Sequence, residues 1–108
     1  MIKITPEAAA QVRRSAETSN TQTMSLRIAA RREEDGTFVY GMGFDDEGAD
    51  DTRFVSEGID VLVSNSSKGL LTGATLDFVE ISPGEHQFIF INPNDPSHTA
   101  SPPSGDQA

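Results

Sequence analysis

Three kinds of side chain in this sequence could do chemistry: the carboxylates, two histidines and a cluster of serines. Cysteine is absent from all 108 residues. That removes disulfides, thiolate nucleophiles, thiolate-held zinc and the usual ligands of iron–sulfur clusters. Any metal would have to be held by oxygen and nitrogen. His98 with Asp35 and Asp95 offers one nitrogen and two oxygens, a set that suits Fe(II) or Zn(II). His98 has no partners at ligand spacing, however, and reads as a plain tail histidine. His86 follows a turn and reads as a half-exposed strand residue. The acidic run Asp45-Asp46-Glu47-Gly48-Ala49-Asp50-Asp51 invites a calcium loop. The frame from Asp46 to Glu57 has the required span, but its third position is Gly48 and Asp51 stands where the turn glycine belongs. The run therefore reads as a solvated loop.

Ser64, Ser66 and Ser67 have no histidine near them in sequence and no Gly-x-Ser-x-Gly elbow, so helix capping accounts for them. Asp77 is the one carboxylate set inside an apolar run, between Leu76 and Phe78, and reads as a hydrogen-bonded structural group. There is no phosphate-cradling glycine loop and no basic–aromatic interleaving. With no nucleophile–base pair either, an enzyme is not expected.

The elements that would position these residues are short. Ile2 and Ile4 flank Lys3 in a brief strand. Thr5-Pro6-Glu7 opens a helix, and Ala9, Val12 and Ala16 give it one thin apolar stripe. Ser19-Asn20-Thr21 ends it. Met24, Leu26, Ile28 and Ala30 alternate with Arg27, Ala29 and Arg31, a half-buried strand. Asp35-Gly36 marks a hairpin turn. Phe38, Tyr40, Met42 and Phe44 then alternate with Val39, Gly41 and Gly43, and the two glycines leave one face of that strand bare. Strands follow at Arg53–Val55 and Ile59–Val63, then a short helix through Leu71. The stretch from Leu71 to Asn94 reads as a strand, a Ser82-Pro83-Gly84-Glu85 turn and a return strand. Both faces of this hairpin are apolar, so it is expected inside a sheet and covered on both sides.

The totals suit one domain. Residues 1–94 form the folded part; Asp95 to Ala108 holds three prolines and no core anchor, and is expected to be a disordered tail. The elements sum to an α+β fold, a small mixed sheet of about seven short strands with two helices. No apolar run approaches the ~20 residues of a membrane span, and no signal-peptide pattern is visible. A cytoplasmic protein without membrane contact is expected. Net charge is −9, with residues 1–32 carrying six basic and two acidic side chains and residues 33–108 two basic and fifteen acidic ones. Bulk electrostatics oppose nucleic-acid binding, with a local contact left open only in the basic first third.

Leu71-x-Gly73-x-x-Leu76-Asp77-Phe78-Val79, followed by Phe88-x-Phe90-x-Asn92-Pro93-Asn94, resembles the A-type iron–sulfur carrier family (IscA/HesB-like). The resemblance runs from residue 1 to about 101. In that family a cysteine opens a Cys-Ser-Gly-x-x-Tyr segment and a Cys-Gly-Cys follows Asn-Pro-Asn. The three thiolates hold a cluster or iron, usually across a dimer. Here Asp35-Gly36-Thr37-Phe38-Val39-Tyr40 takes the place of the first segment. Tyr40 falls on its tyrosine and Asp35 on its cysteine; Thr99 and Ser101 fall on the other two. None is a thiol.

A cysteine-free member of the family is associated with dissimilatory sulfur oxidation in bacteria, and this chain is similar to it in lacking all three ligands. The resemblance implies a non-catalytic accessory protein of sulfur metabolism, regulatory in role, with no cofactor and with a protein partner. The surfaces expected to meet that partner are the glycine-bare strip at Gly41 and Gly43, the row of Arg27 and Arg31, and the acidic loop. A monomer is expected, because family dimers form through the cluster site. The alternative is a mononuclear iron carrier for iron–sulfur assembly that uses oxygen and nitrogen ligands.

Overall fold

The structure, a computed structural model, describes residues 2–21 and 23–95. Seven strands and two helices follow one another as β1 (Lys3–Ile4), α1 (Pro6–Ser19), β2 (Ser25–Arg32), β3 (Phe38–Asp45), β4 (Asp51–Ser56), β5 (Ile59–Ser64), α2 (Asn65–Leu71), β6 (Thr75–Ser82) and β7 (Glu85–Ile91). This is the expected α+β inventory. The strands form two sheets instead of one: β1-β6-β7 and β3-β2-β5-β4. The parallel pair β1–β6 spans only Lys3↔Thr75 and Ile4↔Leu76, and the parallel pair β2–β5 only Leu26↔Val61 and Arg27↔Leu62. Among the described residues no strand of one sheet pairs with a strand of the other, and the two sheets share one core instead.

Local chemistry sets the element ends. The Thr5 hydroxyl accepts the Ala8 N–H at 3.1 Å, with Pro6 opening α1 and Glu7 in its positive first turn. Asn20 stops the helix in the left-handed region at φ 63°, and its N–H returns to the Ala16 and Glu17 carbonyls. Gly36, at φ 90°, turns β2 into β3. The buried stripe of α1 (Ala8, Ala9, Val12) joins Leu26, Ile28, Tyr40, Val61, Val63, Leu76 and Phe90 in one core.

The β6–β7 hairpin departs from expectation. It is not interior, because β7 is the last strand of its sheet among the described residues. Leu76 and Phe90 face the core, while on the other face Ile81 is 53% and Ile91 48% exposed. Alternation reports which side chains are apolar, but not whether a neighbouring element exists to cover them.

α2 meets β2 where β5 has left it. β5 pairs with β2 only at Leu26 and Arg27, so the Ala30 backbone on that side has no strand partner. The Ser67 hydroxyl fills the gap: it accepts the Ala30 N–H and donates to the Ala30 carbonyl, each at 3.2 Å.

Candidate functional site

The turn between β2 and β3 carries the first family ligand position. Glu33 N–H donates to Thr37 O at 2.8 Å and Gly36 N–H to Glu33 O at 2.9 Å. Asp35 is exposed, and its carboxylate accepts the Thr37 N–H at 2.9 Å. That bond is the main reason its carboxyl lies below the usual range. Asp35 therefore acts inside its own turn, as Asp commonly does.

The segment after β7 is locked down by amides. Asn92 is buried; its Nδ2 donates to Leu70 O at 2.7 Å and its Oδ1 accepts the Asn94 N–H at 3.0 Å. Asn94 Nδ2 donates to Leu70 O at 3.2 Å and to Thr72 O at 2.8 Å. The two asparagines thus satisfy carbonyls at the end of α2 that the helix itself leaves open. Asp95 N–H closes the turn onto Asn92 O at 3.1 Å. Composition places Asp95 in the tail, yet it is 4% exposed and its carboxylate accepts the Tyr40 hydroxyl at 2.8 Å. Tyr40 stacks on Phe90 with ring centroids 4.7 Å apart. Burial, then the adjoining Asp95, pushes the phenol above its ordinary range.

Thr99, Ser101 and His98 lie outside the described residues. Of the positions matching the family cysteines, the structure describes only Asp35. Within the proposed oxygen–nitrogen set, Asp35 is engaged in its turn and Asp95 with Tyr40. Among the described residues no three His, Asp or Glu side chains come together to hold a metal ion.

The expected interaction surfaces fare unequally. Arg27 is not an open cation. Its guanidinium donates to Asp45 at 2.7 Å and to both oxygens of Asp51 at 2.7 and 2.5 Å. Asp51 also accepts the Gly48 N–H at 2.6 Å, and its side chain is 5% exposed. The acidic run is therefore strapped at its ends to the sheet face, while residues 46–50 between them are exposed, as a solvated loop should be. The Arg27 bonds lead in lowering the Asp51 carboxyl from 3.8 to about 2; Asp45 shifts the same way, and Arg27 itself is raised. Leu62, paired in register with both Arg27 and Arg53, is fully buried beside this clasp although it stands outside the core cluster. Arg31 is exposed and pairs with Glu33 at 2.6 Å. Gly41 and Gly43 lie opposite Ala29 and Arg27, and a Cβ at either glycine would meet nothing within 4 Å.

Two readings of the remaining polar groups resolve cleanly. Asp77 is held by the Thr5 hydroxyl at 2.7 Å and the Phe78 N–H at 2.8 Å, as a structural carboxylate should be. Ser64 occupies the N-cap position of α2, as expected, but makes no side-chain cap bond, and Ser67 serves β2. His86 stacks on Phe78 at 5.6 Å. The α2 roles of Asn92 and Asn94 were missed, although Asn-Pro-Asn after a strand signals turn chemistry. Among the described residues no helix is long and apolar enough to cross a membrane.

The same fold occurs in two solved structures. IscA with its [2Fe-2S] cluster superposes at a TM-score of 0.74 with 24% identity, covering 94% of this chain and 98% of that one. Escherichia coli SufA, involved in biosynthesis of iron–sulfur clusters, gives 0.68 with 24% identity, covering 85% and 80%. Sequence relatives are nearer. An uncharacterized Azotobacter vinelandii protein from the nifU 5′ region is 34% identical over 95 residues, 87% of this chain and 88% of its own length. The iron-sulfur cluster insertion protein ErpA of Marinobacter nauticus is 35% identical over 91 residues, 83% of this chain and 82% of its own length. A family profile described as iron-sulphur cluster biosynthesis matches residues 1–96. The chain belongs to that family, the IscA/HesB-like A-type carriers, as a member without cysteine.

Proposed function

We propose that this protein is a non-catalytic, regulatory accessory member of the family that binds a protein partner and holds no cluster. One observation carries the reading: the carrier scaffold is present while the sequence contains no thiol. Iron–sulfur clusters are held chiefly by soft, charged thiolate ligands. Asp35, at the matching position, is a single hard oxygen already bonded within its turn. The role in bacterial sulfur oxidation, in the cytoplasm, rests on resemblance to the cysteine-free member associated with that process. A monomer follows in this reading from the loss of the groups that join family dimers.

Anaerobic titration with Fe(II), followed by desalting and metal analysis, separates this reading from an oxygen–nitrogen iron carrier. The accessory reading predicts no retained iron. Stoichiometric iron that is lost on Asp35→Asn would establish the carrier instead.

A further inference from the structure

The β6–β7 hairpin is apolar on both faces, and the face opposite Leu76 and Phe90 is covered only in part, with Val79 and Ile89 half-buried. Leu76 and Phe90 are buried in the core, and Phe78 and Phe88 pack against it with ring centroids 4.9 Å apart. The register puts Val79, Ile89 and Ile91 on the opposite face, where Ile91 is half exposed. β7 has a partner on one side only among the described residues. Edge strands of this kind are normally guarded by lysine, proline or a bulge on the free strand. Glu85–Ile91 contains neither lysine nor proline, and the hairpin's irregularity lies in β6, between Glu80 and Ser82.

Charge identifies the occupant. No Lys or Arg follows Lys68, whereas the hairpin carries Asp77, Glu80 and Glu85. Asp77 is committed to Thr5, whereas Glu80 and Glu85 stay exposed at the tip, each accepting one bond within the turn, from the Gly84 N–H and the Ser82 hydroxyl, both at 2.8 Å. A second copy of a chain with net charge −9 is repelled, and a basic partner is attracted. We propose that the free edge of β7 accepts an extended strand from a basic protein partner. Backbone hydrogen bonds would supply affinity, alternate apolar side chains would cover Ile89 and Ile91, and Lys or Arg would meet Glu80 and Glu85. This deepens the accessory reading and rests on it.

The test uses the full chain and two synthetic peptides, one alternating valine with lysine, the other valine with glutamate. The lysine peptide is expected to bind saturably and to protect β7 amides from hydrogen exchange, with the glutamate peptide at least about tenfold weaker. Ile91→Lys should weaken the lysine peptide by about tenfold or more without moving the thermal midpoint, since that side chain is already half exposed. Glu80→Lys with Glu85→Lys should reverse the preference between peptides. Absence of saturable binding, protection mapping to β3 or β4, or concentration-dependent self-association through β7 would overturn the proposal. Those results leave the accessory reading intact; that reading falls on iron retention, whatever the peptides do.

Discussion

Tyr40 and Ser67 perform similar work at two places in the core. Each brings a side-chain hydroxyl to a partner that secondary structure alone does not serve. Tyr40 anchors Asp95, the last described residue, onto β3. Tyr40→Phe keeps the ring on Phe90 but takes one donor from a buried carboxylate, and should cost about 1–3 kcal/mol in urea unfolding. Ser67→Ala removes the partner of both Ala30 backbone groups and should cost a similar ~1–3 kcal/mol, while exposed Ser66→Ala stays within ~0.5 kcal/mol. Equal losses for Ser66 and Ser67 would contradict the assigned role. These residues were only half legible. Tyr40 stood out by its place in the family segment, but nothing in the chain pointed to Asp95, 55 positions away. Three clustered serines look like caps; only the gap left by β5 shows which one matters.

At the scale of elements, the clasp of Arg27 with Asp45 and Asp51 is the device that folds the acidic run onto the sheet. Its pH behaviour follows from the direction of the shifts. The Asp51 carboxyl is lowered from 3.8 to about 2, so the folded state favours its charged form. The resulting stability is complete above the unfolded value and is lost as pH falls through the folded one. Denaturation monitored by circular dichroism should therefore show an acid limb between about pH 4 and pH 2, and Arg27→Ala should flatten it. An unchanged limb would mean that the clasp does not form in solution. Helix α1, the β2–β3 hairpin and the strand count were legible because capping residues, Asp-Gly and alternation are local signals. The split into two sheets and the open edge of β7 were not, since both depend on which strands meet across the fold.

For the whole molecule, the fold and family were readable from a few spaced residues, and the absence of cysteine needed no structure at all. What Arg27 does was not readable: an arginine on an outer strand face looks free until the loop that closes on it is placed. The central claim is that a carrier scaffold persists here without cluster chemistry. Anaerobic reconstitution with iron and sulfide, followed by desalting, absorbance spectroscopy and assay of both elements, tests it most directly. The account predicts a colourless protein with neither iron nor sulfide bound. Iron and sulfide retained in stoichiometric amounts, with the visible absorbance of a cluster, would contradict it.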